Sequence, residues 1–486
     1  MSKEIEVDTG KFRKGHKLRI DHPIIQKKIK KSLEISKKEG GVAASSISLG
    51  QSYLPAFALA LNATNSQIGI LHAIINFIPG IIQLKASNLM RKFSRKKIVM
   101  TSVIIRMILW IPIILTGLLF YLGFNHSTWL LIGLCGTFYA VAAISHPVWF
   151  SWMGSLVPEN TRGKYFSKRN RVTGLMSIIT IITAAIILDA MKKYGQSIGN
   201  EIGLTILGFG LLFTMAIITR GYSLKLLKKQ YEPRFKLRKK DFFSLKQFLQ
   251  KCTKTPFGRF TIFRFLLSFA VEIAGPFWAV YMLRNLGMSY LWYMLIIVAG
   301  AGFRLIFLPM LGKFSDRFGN IKLMRMTSWL IATIPFIWII STLMPTNLST
   351  KIFLLFVPQV VSGFAWAGYD LAVNNYVFDS VSSQKRSFGM SYVTLMIGIA
   401  TFLGAGLGAG LVLLNVKFME TILFVFLISG ILRIFVAIFG VKLLHEVRHV
   451  KKFSYEFFVK ELQPRFFQHR GLHHHEKLVE KNEHYA

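Results

Sequence analysis

Twelve stretches of roughly 20 predominantly apolar residues recur along the 486-residue chain, each long enough to cross a hydrocarbon core as a helix. In the first half they lie near 42–62, 66–84, 98–121, 129–153, 172–191 and 201–224. In the second half they lie near 261–283, 290–311, 323–344, 351–377, 389–414 and 419–443. The first is diluted by Ser45, Ser46, Ser48 and Gln51, and the fourth is interrupted by His146. These runs are too continuous for the alternating pattern of a membrane barrel. A hydrophobic share of 52% argues against a string of soluble domains, and 42 Phe, 15 Tyr and 9 Trp against a disordered chain. Two cysteines, Cys135 and Cys252, exclude a disulfide framework and a Cys-based zinc site. The expectation is an all-α membrane protein.

The formal charge of +38 would suggest nucleic acid in a soluble chain, but its distribution gives another reason for it. Fifty of the 60 Lys and Arg fall in the N-terminal segment, the loops after spans 2, 4, 6, 8 and 10, and the C-terminal tail. Only five, Lys192, Lys193, Arg284, Lys351 and Lys417, fall in the opposite loops. By the positive-inside rule both termini are cytoplasmic and the span number is even. The charge then sets topology, with some attraction to anionic headgroups of the lipid bilayer, and nucleic acid is not a partner. Residues 1–40 are polar and basic throughout, so no cleavable signal peptide is expected.

Six spans, a basic connection and six more spans point to a duplication. An offset of 224 lays Arg162 over Arg386, His146 over Asp370 and Trp152 over Tyr376. An offset of 221 lays Pro55 over Pro276 and Gln51 over Glu272, and one of 226 lays Arg91 over Arg317 and Lys96 over Lys322. The expected divisions are a basic tail (1–41), a six-helix bundle (42–227), a basic central loop (228–260), a second bundle (261–444) and a C-terminal tail (445–486). The bundles run parallel, related by an axis along the membrane normal.

The segment GKFSDRFGNIK, with Gly312, Asp316, Arg317, Gly319 and Lys322, resembles the loop between helices 8 and 9 of the major facilitator superfamily. Its first-half counterpart, KASNLMRKFSRKK (85–97), keeps Arg91 but has Met90 where that family has Asp. The loop Pro158-Glu159…Arg162-Gly163 and the stretch 273–290 are also similar. The resemblance covers residues 42 to 444. It implies two pseudo-symmetric bundles that rock around a midplane site. It also implies that Gly312, Asp316, Arg317, Gly319, Lys322 and Arg91 form a conformational latch, weakened in the first half by Met90. Without the resemblance, the same residues read as a topology determinant with a surface ion pair.

Charged groups within the spans need a reason to be there. Glu272 lies one turn before Gly275-Pro276, a dipeptide that bends the helix and frees backbone groups. Asp370 lies deep in span 10, followed by Asn374, and His146 occupies the equivalent place in the first half. Glu272, Asp370 and His146 are the substrate or proton candidates, the alternative being a static pair with Arg106, Arg264, Arg304 or Arg433 for the two acids and an interhelical hydrogen bond for His146. For Arg106 and Arg304 a further reading is snorkelling toward the cytoplasmic surface. Asp189, beside Lys192 and Lys193, reads as a surface pair. Other cavity candidates are Gln51, Tyr53, Asn76, Trp149, Trp152, Trp278, Tyr281, Trp366 and Asn374. The glycines of span 11, Gly398, Gly404, Gly406, Gly408 and Gly410, read as packing positions. His473-His474-His475 lies in a polar tail without the further ligands of a metal site, and no metal or cofactor is expected.

The function expected is secondary active transport of a small-molecule substrate by alternating access, proton-coupled, in a monomer of the cell membrane. The alternatives are a non-transporting receptor or scaffold and a lipid flippase of the same fold. No phosphate-cradling glycine motif supports an ATP-driven pump. No facing acids or histidines support an enzyme.

Overall fold

A computed structural model describes residues 23–157, 162–233, 245–380 and 386–447, apart from 415 and 418. Helix α1 (Pro23–Leu49) continues through a 3-10 turn (Gln51–Tyr53) into α2 (Leu54–Ala60). Then follow α3 (Asn65–Ile82), the short α4 (Ala86–Lys92), α5 (Arg95–Tyr121), α6 (Ser127–Leu156), α7 (Arg162–Ser197) and α8 (Glu201–Lys229). After the short α9 (Leu245–Lys251) come α10 (Pro256–Glu272), α11 (Phe277–Val280), α12 (Tyr290–Phe318) and α13 (Asn320–Ile340). Last are α14 (Asn347–Ser380), α15 (Arg386–Leu411) and α16 (Thr421–Phe439). No strand occurs among the described residues.

Eleven helical spans are long and apolar enough to cross a membrane by themselves. The expected first span is not among them. It is assembled from the end of α1, the 3-10 turn and α2, because Pro55 has no N–H to return to Gln51 and the helix tightens there. The matching position in the second half, Gly275-Pro276, separates α10 from α11. The two prolines that align in sequence thus mark the same break in each bundle.

Several helices start on side-chain caps. Thr64 and Gln67 form a capping box on α3, Ser94 caps α5, Asn200 caps α8, Thr255 caps α10 and Ser289 caps α12. Large apolar side chains such as Ile108, Ile111, Ile218, Leu305 and Ile306 face outward. That is the pattern of a multi-pass protein whose surface meets lipid, not water.

In the first bundle α1 packs on α7 and α8, α5 on α6 and α8, and α3 on α6. In the second, α14 packs on α12 and α13, and α10 lies against α15 and α16. Contact between the bundles runs along α3–α15 and, more locally, α7–α12. Small residues make the first contact close. A Cβ on Gly69 would stand 2.6 Å from that of Ala409. Within the second bundle, a Cβ on Gly404 or Gly408 would stand 2.4 or 2.3 Å from the carbonyl oxygens of Phe269 or Ile273. Gly406 and Gly410 have open space instead. Gly408→Ala should therefore lower the melting temperature of the purified protein through a backbone clash, and Gly410→Ala should not. Equal melting of the two variants would refute this packing.

Candidate functional site

A cavity of about 310 Å³ lies between the bundles where both helix breaks meet. Gln51 of the first 3-10 turn and Gly275-Pro276 of the second break line it, with His72, Tyr139, Trp278 and Tyr293. Glu272 ends α10 at this level. Its Oε2 lies 2.8 Å from His72 Nε2 on α3, so the pair joins the two bundles. Both side chains are about one-quarter exposed, His72 at 28% and Glu272 at 25%. The carboxylate folds back over the break, because a Cβ on Gly275 would stand 2.3 Å from Oε2. Behind it, the buried Arg433 donates to Ser429 Oγ, Ile331 O and Val271 O, fixing the backbone beside Glu272. Trp278 is held by Phe426 and Trp338, with ring centroids 4.0 and 4.8 Å away.

The end of the molecule bearing most Lys and Arg is termed the basic end, and the other the far end. The bundles are fastened together at the far end. Arg284, after α11, donates to Asn65 Oδ1 and Ala63 O, both at 2.6 Å. Asp189 of α7 accepts from the backbone N–H groups of Tyr290 and Leu291 at 2.8 and 3.0 Å, capping α12 across the interface. The surface pair expected of Asp189 is thus replaced by a cap, and Lys192 bonds Glu201 instead. The helix start presents unsatisfied N–H groups, which a carboxylate meets better than water does.

The remaining candidates are dispersed. Asp370 on α14 pairs with Arg304 on α12. His146 and Asn374 are exposed on α6 and α14 and make no hydrogen bond to another described residue. Trp366 is partly buried and stands edge-on to Tyr369. Asn76 is exposed and donates to His72 O. Three expected cavity residues are structural instead: Tyr53 donates to Ile181 O at 2.6 Å, Tyr281 meets Ser341, and Trp152 donates to Tyr231 O. Trp149 lies under the Arg169 guanidinium, 4.4 Å away. His72 was not among the sequence candidates. Its only signal was a second histidine inside a span, and nothing in the sequence points from position 72 to 272.

Around the expected latch, Gly319 has φ +94° and joins α12 to α13, as no L-residue does easily. A Cβ on Gly312 would meet nothing within 4 Å, so close helix approach does not account for that glycine. Asp316 is exposed and bonds no described residue, Arg317 lies over the Phe318 ring, and Lys322 lies in the first turn of α13. The Arg91 side chain, like residues 158–161 and 381–385, lies outside the described residues.

The firmer polar work at this end is done by the segments that leave each bundle. In the first, Trp152 Nε1 donates to Tyr231 O and Glu232 caps Arg95 N at 2.7 Å. In the second, Tyr376 Oη donates to His445 O and Glu446 caps Ile321 N at 2.9 Å. Trp152 and Tyr376, aligned by the duplication, thus perform the same task.

Residues 260–472 match the Major Facilitator Superfamily sequence profile. The second half of the chain thus resembles that superfamily in sequence, and the whole is a multi-pass membrane protein that shares the fold of the transporters below. Among solved structures it is similar to a D-xylose–proton symporter, with TM-score 0.64 and 13% identity over 87% of this chain and 100% of that one. A bacterial homologue of the iron transporter ferroportin, in an inward-facing state, gives TM-score 0.63 and 15% identity over 85% and 98%. The nucleoside transporter NupG gives 0.59 and 14% over 85% and 98%. At these identities the likeness is one of fold. No curated protein matches the sequence.

Proposed function

We propose that this protein is a secondary transporter that carries a small solute across a cell membrane by alternating access, coupled to protons through Glu272 and His72. The observation that carries the reading is their 2.8 Å side-chain contact, which joins the bundles beside a cavity at the two helix breaks. Such breaks expose backbone groups where a solute can bind. A proton on Glu272 cancels its charge and loosens one tie between the bundles, which links protonation to rocking. The far-end ties describe a state closed on that side. The partition of Lys and Arg supports cytoplasmic termini and so makes the basic end the cytoplasmic one.

A solute is first to be found by its thermal stabilisation of the purified protein, which follows from mass action. In proteoliposomes, the Glu272→Gln variant should then lose proton-driven accumulation of that solute while retaining its counterflow. Unchanged accumulation removes the coupling assignment. Absence of counterflow in the unaltered protein removes the transporter reading and favours a receptor or scaffold.

A further inference from the structure

Arg106 of α5 is a buried cation without a counter-ion among the described residues. It is 9% exposed, its Nε is shielded from solvent without a hydrogen-bond partner, and its guanidinium bonds no other described residue. Snorkelling therefore does not describe it. Its neighbours are the face of Phe138, 5.7 Å away, the hydroxyl of Tyr139, and Arg220 of α8, which repels it. The carboxylate of this region, Glu39, is already engaged: Ser223 donates to it at 2.8 Å, and Arg169 and Arg220 stand 3.7 and 3.9 Å away. Two arginines thus share that acid, and neither leaves it free for Arg106. A buried charge in low dielectric is retained against its desolvation only where something compensates it.

The central cavity begins one side chain away: Arg106 does not line it, but Tyr139, whose ring lies 5.6 Å from that of Phe138, does, together with Gln51. The rest of that lining is mainly apolar, including Leu54, Ile68, Ile75, Met282 and Ile297. A guanidinium with free donors matches a carboxylate in charge and in planar fork geometry. One uncompensated positive charge just behind the Tyr139 wall of an apolar chamber calls for one negative charge on an apolar body. We propose that the solute bound in this cavity is an organic monocarboxylate whose carboxylate is received by Arg106, with Tyr139 at the entrance. The proposal rests on the transporter reading for its physiological sense, but its test does not require transport.

Purified protein is melted in detergent with benzoate or octanoate, and with benzyl alcohol and sodium chloride as neutral and ionic comparators. The carboxylates should raise the melting temperature of the unaltered protein and the comparators should not. Arg106→Gln should melt higher than the parent without ligand, because an unpaired buried charge has been removed. It should also lose the benzoate shift, with affinity weakened by about 10-fold or more. Arg106→Lys, which keeps the charge but not the fork, should retain part of the shift. An equal benzoate shift in parent and Arg106→Gln overturns the proposal, as does no carboxylate shift in the parent. Counterflow of another solute without carboxylate binding leaves the transporter reading standing and removes the anion site. Carboxylate binding without counterflow does the reverse.

Discussion

Glu232→Ala is expected to lower the stability of the protein by about 3–5 kcal/mol, because it strands a charge. Arg95 is 1% exposed, and its Nε lies 3.5 Å from Glu232 Oε1. The same carboxylate caps the Arg95 N–H. The guanidinium donates in addition to Ser151 O, Ser155 Oγ and Pro233 O, so the arginine cannot turn to water without releasing the segment after α8. Breaking a buried pair from one side leaves the other charge desolvated, which is worse than never having had the pair. Glu446→Ala in the second bundle removes a cap from Ile321 N, a backbone group, and should lose only about 0.5–2 kcal/mol. Thermal or denaturant unfolding in micelles of the two variants beside the parent makes the comparison. Equal losses would show that Arg95 does not depend on Glu232.

Asp189→Ala is expected to favour a state open at the far end. The variant removes both caps on the Tyr290 and Leu291 amides, leaving Arg284 as the main polar tie at that end. Losing hydrogen bonds that a charged acceptor makes across an interface shifts the balance by about 1–3 kcal/mol, or roughly 5- to 150-fold in population. The far-end recess bounded by Ala60, Asn62, Arg284 and Tyr290 offers a reporter. A cysteine placed there as Ala60→Cys should react faster with a membrane-impermeant maleimide when Asp189→Ala is also present. Native Cys135 and Cys252 are buried and serve as the unreactive background. An unchanged rate would mean that the cap does not hold the far end closed.

These two residues show unequal legibility in the sequence. Asp189 was visible as an intramembrane-edge acid, and its lysine neighbours gave it a plausible surface partner. The partner it has is a pair of amides 101 and 102 positions away, which no side-chain pattern announces. Glu272 was legible as a candidate because a carboxylate beside Gly-Pro in an apolar run needs compensation. That His72 supplies it was not, since the two lie 200 residues apart on different bundles. Asp370 and Arg304 were both named, one as a site residue and the other as a partner, and their pairing joins them. The burial of Tyr53, Trp152 and Tyr281 was not legible, because hydropathy marks a residue as membrane-embedded without saying which way the helix turns it. Packing made each a buried hydrogen-bond donor.

The sequence alone determined how many segments can enter a bilayer, where the chain doubles, and which loops carry positive charge. Each of these is a local sum over apolar length or charge, and such sums survive without knowledge of neighbours. It also located Gly319, where a positive φ excludes other residues. Only the tertiary structure decided that the first span is made from two helices around Pro55, and that α3 meets α15 through Gly69. It alone left Arg106 Nε buried without a hydrogen-bond partner among the described residues. Those outcomes depend on the rotation and tilt of each helix against its neighbours. Side-chain volumes and hydrogen bonds across hundreds of residues fix these jointly, and no window along the chain contains them.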